Sequence, residues 1–520
     1  MNNSNDIINT VKKWMGLILY LSVILEIMLF PTWPNFCGCL MSLICWMIFS
    51  TFFLKRDIIL EHPFAFTMFL SMFLYRYLPL IATLTEGKPI TYGFELPFQT
   101  FFYETLLFIV SSLSFYFACV IAKKRNNIIQ KTLYSLGFFE CNVKMLWVLG
   151  CIGVVARLYT FSQGKIEFGD IAGKTALGFT YLMCAPLCLL FPTLWKKNAV
   201  SKVNQIMIWI YVPFIFLLSF AKNSRYSMIE PIATLILLFL LRALKDNVAL
   251  NKIISPIKVI VLAFFLIFGI NFLSDFSLAM LENRRIRGDI DRKELFERTI
   301  ETYQNKELMS VLRSVPSIDQ GELLSYADGW NEAYLDNFML NRYGNMRITD
   351  QTLYYADKIG YSNSKMQRNF FDSWILKVFP TPFLRTIGIN IDKSQYEYSP
   401  GDCLYTLATS GRTGYGYYRV TSHVGDGLAT FGYWYFPIQF LLFFLVFKLL
   451  DCLVFYGKTV NYSIYGLLNI FFFMGMFRNA AGCGADLGFI IRGFWQEIFV
   501  YWIVLVMMNL LLIRRNRRNV

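Results

Sequence analysis

Apolar residues in this chain are grouped into long blocks, separated by short polar or basic stretches. The blocks are roughly 17–25 residues long, the length with which a helix crosses a hydrocarbon core of about 30 Å. Backbone amides inside lipid must be hydrogen-bonded within their own segment, so each block predicts a helix. The expected spans are residues 14–31, 35–54, 63–84, 99–122, 143–160, 178–195, 205–221, 227–244, 259–276, 428–450, 462–478 and 493–513.

Composition supports a membrane protein. Hydrophobic residues make up 56% of the 520 residues and charged residues only 16%, against about 25% charged in soluble domains. The first block runs into Pro31 without a small-residue cleavage site, which predicts a retained span. The predicted fold is an all-α polytopic membrane protein with twelve spans. Its regions are spans one to nine (1–276), a large loop (277–427), and spans ten to twelve with a basic tail (428–520).

The net charge of +14 follows the topology. Basic clusters occupy alternate gaps between the blocks, at Lys12-Lys13, Lys55-Arg56, 123–125, Lys196-Lys197, 252–258, Lys458 and 514–518. This is the positive-inside pattern, which predicts that both termini are cytoplasmic and that the long loop is extracytoplasmic. The charge therefore indicates lipid contact rather than nucleic-acid binding.

The long loop, 277–427, is too long to be a simple connector and is expected to be functional. It is predicted to be mainly helical and irregular, with turns near its end, where Gly, Tyr and Thr accumulate. The chain contains no phosphate-binding glycine loop, HExxH, GxSxG or CxxC motif. Most cysteines lie inside apolar blocks, so we expect neither disulfides nor a metal site, and no cofactor.

Arginine is the main candidate for binding chemistry. The loop carries twelve arginines and six lysines, and the planar arginine fork suits phosphate oxygens. Surface ion pairs are the alternative role for these side chains. Arg76 lies inside a span and is expected to pair with Glu26, Glu104 or Glu230. The candidate binding residues at span edges and in the loop are Arg157, Arg225, Arg412, Arg419, Arg478 and Arg492.

His423 is the candidate catalytic residue, because it precedes span ten in the sequence Ser422-His-Val-Gly-Asp-Gly. Imidazole is well matched to accepting a proton from an alcohol near neutral pH. Asp426, three residues later, either orients the histidine or acts as the base itself. A hydrogen-bonded loop histidine without catalytic function is the alternative interpretation.

The chain resembles bacterial O-antigen and capsule polymerases and, more distantly, O-antigen ligases. The resemblance rests on the span number, the late outer loop, Arg225 at the start of a span, and Ser422-His423-Val424 followed by Gly432. It implies a metal-independent glycosyltransferase in the bacterial inner membrane, acting on repeat units linked to undecaprenyl pyrophosphate. His423 and Asp426 would be catalytic, and the candidate arginines would hold the pyrophosphate.

The resemblance also implies chain-length regulator and flippase proteins as partners. Two alternatives stay open. A polysaccharide flippase would place functional groups near the bilayer midplane and show two similar halves, and no such internal repeat is visible. A ligase differs from a polymerase in its acceptor, so the sequence does not separate the two, nor does it identify the sugars, the linkage or the stereochemistry.

Overall fold

The computed structural model describes the chain in fourteen segments: 6–121, 126–162, 171–195, 201–221, 225–248, 269, 271–283, 292–314, 325–332, 334–344, 346–379, 381–396, 398–477 and 482–517. The described part is predominantly helical, in agreement with the all-α prediction. Nine of its helices are long and apolar enough to cross a membrane: Trp33–Phe53, Pro63–Thr85, Pro97–Val120, Val143–Ser162, Ala172–Leu190, Lys202–Ser219, Tyr226–Lys245, His423–Asp451 and Gly482–Leu510.

The described residues up to position 248 form ten α-helices. They are α1 (Asp6–Leu29), α2 (Trp33–Ile48), α3 (Arg56–Glu61), α4 (Pro63–Thr85), α5 (Pro97–Phe115), α6 (Ile128–Ser135), α7 (Val143–Ser162), α8 (Ile171–Phe179), α9 (Lys202–Ala221) and α10 (Arg225–Lys245). The π-helical turns Phe49–Phe53 and Tyr116–Val120 extend α2 and α5, and the 3₁₀ segments Thr180–Leu190 and Pro192–Leu194 follow α8.

Residues 271–282 are also helical. The α-helices that follow them in the described residues are mostly shorter. They are α11 (Arg292–Gln304), α12 (Lys306–Ser314), α13 (Phe338–Tyr343), α14 (Arg347–Ile359), α15 (Ser364–Phe370), α16 (Thr381–Thr386), α17 (Pro400–Ala408), α18 (His423–Phe431), α19 (Tyr435–Asp451), α20 (Ile464–Leu468), α21 (Ile470–Met474), α22 (Gly482–Gly488) and α23 (Phe494–Arg517). Short 3₁₀ or π turns occupy Phe371–Ile375, Leu376–Val378, Lys393–Tyr396, Gly432–Trp434 and Phe489–Gly493.

Three predicted spans differ from the nine candidates. The helix α1 has 24 residues, four of them charged, and is not among the nine candidates. The predicted span at 462–478 is two five-residue helices, α20 and α21, which are interrupted at Asn469. The predicted span at 259–276 falls largely outside the described residues.

A small antiparallel hairpin was not predicted. Its strands are β1 (Val454–Tyr456) and β2 (Val460–Tyr462), and Phe455 pairs with Asn461. The hairpin follows α19. Its residue Tyr456 forms a hydrogen-bonded hub with His62 and Asp451, in which His62 Nδ1 lies 2.6 Å from Asp451 Oδ1. This hub marks one end of the helix bundle, and we call the other end, where residues 325–422 pack, the loop face.

One continuous apolar core runs through the spans and is rich in phenylalanine. Phe49 stacks on Phe73 with ring centroids 4.1 Å apart, and Phe69 stacks on Phe115 at 4.8 Å. The segment 325–408 has its own smaller core around Tyr326, Tyr355 and other residues of α14 and α17. The described residues of 325–408 therefore form a layer with a core of its own at this end of the bundle, which we call the loop layer.

The buried polar helix α14 joins this layer to the spans. Asp350 is fully buried and accepts hydrogen bonds from the backbone of Glu95 and Leu96 and from Thr100 Oγ1, at 2.7–3.0 Å. These donors lie at the start of α5, where backbone amides have no partner within their own helix. Asp350 therefore caps a spanning helix from within the loop.

Candidate functional site

His423 begins α18, the short helix that leads from the loop into a candidate span. Ser422 caps this helix by accepting a hydrogen bond from Gly425 N at 2.9 Å. The imidazole is only 2% exposed and stacks on Phe477, with centroids 4.7 Å apart and planes 10° apart. Among the described residues neither ring nitrogen has a hydrogen-bond partner. Buried polar atoms are normally paired, so such an atom requires an explanation.

Asp426 lies one turn further along α18 and is also buried. Its carboxylate packs against Gly482, where an added Cβ would lie 2.3 Å from Asp426 Oδ2. Since His423 has no partner, the predicted orienting hydrogen bond from Asp426 is not formed in this structure. The second predicted role, that of a base, is compatible with the position of the carboxylate.

Glycines in the segment 423–432 allow close helix packing around these side chains. A Cβ at Gly425 would lie 2.4 Å from Thr352, and one at Gly427 would lie 2.1 Å from the Tyr435 ring. Both contacts require the absence of a side chain. The sequence Gly425-Asp-Gly427 therefore lets α14 and α19 approach α18 closely.

Unpartnered polar atoms are concentrated around α18. Of nine buried side-chain nitrogen and oxygen atoms without a hydrogen bond in the described part, five belong to residues 421–439. They are Thr421 Oγ1, both nitrogens of His423, the Tyr435 hydroxyl and Gln439 Oε1. Gln439 uses its amide nitrogen to bind Asp486 at 2.7 Å. We call these four side chains the polar cluster; each keeps hydrogen-bonding capacity that the described residues do not use.

The ion pair expected for Arg76 is present beside the cluster. Arg76 Nη2 lies 2.6 Å from Glu104 Oε2, and both residues are buried. Glu104 also accepts a hydrogen bond from Thr349 Oγ1 of α14 at 2.7 Å. The guanidinium lies 5.3 Å from the centroid of Phe477, the ring on which His423 stacks. Arg76 is thus fixed by a buried acid rather than free to bind a ligand.

Two of the six candidate arginines are held by acidic partners. Arg157 is buried and binds Glu230 at 2.8 Å and Ser227 at 3.3 Å. Arg419 binds Asp402 at 3.0 Å and lies over the rings of Tyr405 and Tyr417. These contacts match the ion-pair alternative for both residues.

The other four candidates are placed differently. Arg412 is exposed in the approach to α18. Arg225 is the first residue of α10, and its side chain lies outside the described part, as does all of Arg478. Arg492 lines a cavity, and its guanidinium contacts Gln496 Oε1 at 2.8 Å and Val378 O at 3.3 Å.

The cavity beside Arg492 has a volume of about 270 Å³. It lies between the loop layer and the start of the last span. Its walls combine aromatic, amide and cationic side chains: Asn369, Ser373, Trp374, Lys377, Val378, Tyr396, Tyr398, Pro400 and Arg492. Lys393 is a neighbour, and its pKa is lowered by burial and by the nearby charges of Arg492 and Lys377. Three cations are therefore grouped at this position.

The helix α22 separates the cavity from the polar cluster. A Cβ at Gly484 would lie 2.3 Å from the Trp374 ring, on the cavity side. Gly482, two residues earlier, touches the Asp426 carboxylate on the other side. The two regions are therefore opposite sides of one glycine-containing turn.

No known protein family, curated protein or solved structure matches this chain. The interpretation of the site therefore depends on its geometry and chemistry.

A third cluster, at the end of the bundle opposite the loop face, has donor atoms of the kind that bind metals. Ligand atoms of His62, Cys119 and Asp451 lie within 4.8 Å of one another. The three residues are far apart in sequence, so no spacing pattern could reveal them. At present His62 Nδ1 and Asp451 Oδ1 are hydrogen-bonded to each other, and Tyr456 also binds both. These mutual hydrogen bonds are sufficient for a structural role.

Sequence reasoning missed the residues that build the cavity. Trp374 and Lys377 lie in the middle of the loop, where neither spacing nor a span boundary distinguishes them. It also missed Thr349 and Asp350. Both belong to a run of polar residues in α14, and the sequence does not show that this run is buried. Only their long-range contacts with α5 reveal their role.

Proposed function

We propose that this protein is a membrane glycosyltransferase that polymerises oligosaccharide repeat units linked to undecaprenyl pyrophosphate. The observation that carries the proposal is the buried, unpartnered His423 beside Asp426, at the point where the loop layer meets a candidate span. Such a position suits a reaction between a sugar hydroxyl and a donor anchored in lipid. The loop face would then lie outside the cytoplasm, as the positive-inside pattern predicts.

The proposed reaction is a substitution at the anomeric carbon of the donor. The acceptor hydroxyl oxygen forms the new glycosidic bond as its proton passes to His423 or to the Asp426 carboxylate. The bond between the anomeric carbon and the pyrophosphate oxygen breaks, and undecaprenyl pyrophosphate leaves with the electron pair. Cationic side chains at the membrane edge stabilise the charge that develops on the leaving group. From their sequence positions, Arg478, Arg225 and Arg412 are proposed for this role.

The flippase alternative receives less support from the intramembrane charges. A transporter site would bring such groups together near the bilayer midplane. Here Arg76 and Glu104 form one closed pair, and Arg157 and Glu230 form another. A ligase would use the same chemistry with a different acceptor.

Removal of the gene and its replacement by variants test the proposal. We expect its loss to abolish long-chain surface polysaccharide while lipid-linked single repeat units accumulate, as seen by gel electrophoresis and mass spectrometry. If the chain-length distribution is unchanged after removal, the polymerase proposal is wrong. If polymer forms but is not transferred to its final carrier, the protein is a ligase.

Two substitutions test the residue assignment. His423→Phe preserves an aromatic ring against Phe477 and removes both ring nitrogens, and Asp426→Asn removes the charge with little change in volume. A general base contributes about 10²–10⁴-fold to a rate, so we expect polymer formation to fall by that factor for the true base. Membrane levels should match the unaltered protein, and neither variant should unfold at a lower temperature. Full activity in both variants would exclude both residues as the base.

A further inference from the structure

The cavity beside Arg492 has features that the proposed catalytic chemistry does not use. Eight of its nine lining residues belong to the segment 369–400, and only Arg492 comes from the start of the last span. The cavity is therefore built mainly by the loop layer. Its location on the far side of α22 separates it from Asp426.

The charge in and around the cavity is predominantly positive. Lys377 and Arg492 line it, and Lys393 is close enough for its pKa to be lowered by their charges. No described carboxylate lines the cavity. Two lie in the same segment: Asp372, which approaches Arg368 at 3.8 Å and the Tyr396 hydroxyl at 3.5 Å, and Asp392, which accepts a hydrogen bond from Gln395. Lys377 Nζ donates to the backbone oxygen of Tyr396 at 2.7 Å. The charges of Lys377, Lys393 and Arg492 repel one another, so an anion beside the two that line the cavity is stabilised.

The remaining walls are of the kind that bind sugars. Trp374, Tyr396 and Tyr398 offer aromatic surface for the apolar face of a pyranose ring. The Tyr398 hydroxyl donates to Asn369 Oδ1 at 2.7 Å. Asn369 and Ser373 supply both donors and acceptors for hydroxyl groups. A volume of about 270 Å³ is at or below the lower end of drug-sized pockets, roughly 300–1,000 Å³. The space suits one sugar ring rather than an oligosaccharide.

We propose that this cavity binds one acidic sugar of the glycan, a ring whose carboxylate faces Arg492 and Lys377 while its apolar face stacks on Trp374. A pyrophosphate would use the cations but not the aromatic and amide walls, which is why the sugar is favoured. This assignment rests on the proposed function and adds that the repeat unit carries a negative charge. The cavity would recognise the substrate, while bond formation takes place at His423 and Asp426.

Ligand binding to the full-length protein in lipid nanodiscs tests the inference. The probes are galacturonate, its neutral methyl ester and inorganic pyrophosphate, each followed by saturation-transfer NMR with titration. A charge-assisted hydrogen bond to arginine predicts that galacturonate binds about tenfold or more tightly than the ester. Equal affinity of the acid and the ester would overturn the proposal.

Matched arginine variants locate the binding site. Arg492→Gln is expected to reduce galacturonate affinity about tenfold, to the level of the ester. Arg385→Gln removes the same charge from an exposed position in α16 and should leave affinity unchanged. Equal effects of the two substitutions would mean that only overall charge matters, which contradicts a specific site.

Pyrophosphate distinguishes the two sources of negative charge. If it binds in an Arg492-dependent manner and galacturonate does not displace it, the cavity holds the donor pyrophosphate and the acidic-sugar proposal is wrong. The binding measurements require no catalysis. Failure of the polymerase proposal in the gene-removal experiment would therefore be recognised separately from failure at the cavity.

Discussion

Replacing Gly482 with alanine tests the contact between α22 and the Asp426 carboxylate. Gly482 has φ +59°, in the left-handed region, and its added Cβ would lie 2.3 Å from Asp426 Oδ2 and 3.2 Å from Cγ. Non-bonded heavy atoms prefer separations of about 3.5–4.0 Å. Either the carboxylate or the start of α22 must therefore move by roughly 1 Å.

Two costs add in this variant. A left-handed backbone costs a residue with a Cβ roughly 1–2 kcal/mol, and overpacking typically costs another 1–3 kcal/mol, by order of magnitude. Gly411 provides the matched control, because it has φ +81° and no atom within 4 Å of an added Cβ. Gly411→Ala should incur only the backbone cost. The expected difference between the two variants is therefore about 1–3 kcal/mol.

Denaturant unfolding in detergent micelles, followed by tryptophan fluorescence, measures the stability of both variants. Polysaccharide chain length in cells measures whether displacement of Asp426 affects function. We expect Gly482→Ala to lose both stability and polymer, and Gly411→Ala to keep its polymer. Combining Gly482→Ala with Asp426→Ala removes the clashing oxygen, so the double variant should be less destabilised than the sum of the single changes. Equal stability of the two glycine variants, or strict additivity in the double variant, would refute the packing argument.

Further predictions concern buried charges at the loop face. Arg76→Met should destabilise the protein by about 3–5 kcal/mol because it leaves Glu104 unpaired, and adding Glu104→Leu should recover much of that loss in the same denaturant titration. Asp350→Ala leaves the amides at Leu96 and the Thr100 hydroxyl without their acceptor, at roughly 1.5–3 kcal/mol for each bond to the charged group, and should expose the loop to limited proteolysis. Burial raises the pKa of Asp350 despite its hydrogen bonds, so the folded state holds its proton to higher pH than the unfolded state. Stability should therefore decrease as pH rises from the ordinary aspartate pKa to the raised value, and Asp350→Asn should flatten this part of the pH profile.

The spans were predictable because length and apolar composition determine them directly. The predicted spans at 63–84 and 143–160 correspond closely to Pro63–Thr85 and Val143–Ser162. The segment 462–478 is equally apolar, yet it forms two short helices, since Ser463 caps the first and Asn469 ends it. Hydropathy does not register such breaks. The hairpin before it depends on pairing between strands, which periodicity in so short a segment does not reveal.

The candidate site was partly predictable from the positions of residues at span boundaries. This reasoning identified His423 and Asp426, and it identified Arg492, which lines the cavity. It did not distinguish Arg492 from Arg419, because the bond from Arg419 to Asp402 joins residues 17 positions apart and depends on the fold of the loop. The ring of Trp374 reaches Gly484 across more than a hundred residues, and no local pattern encodes such a contact.

The polar cluster around α18 also bears on the class of substrate. A buried polar group without a hydrogen bond costs about 1–3 kcal/mol, so His423, Thr421, Tyr435 and Gln439 together reduce stability by several kcal/mol in the unliganded state. A charged ligand alone would not pair them, because they include both donors and acceptors. A sugar ring carries several hydroxyl groups, each of which donates and accepts, so it offers partners of both kinds to such side chains. Under the proposed function, the acceptor hydroxyl is expected to lie beside these unpaired groups, and the His423→Phe and Asp426→Asn variants decide which of the two side chains takes its proton.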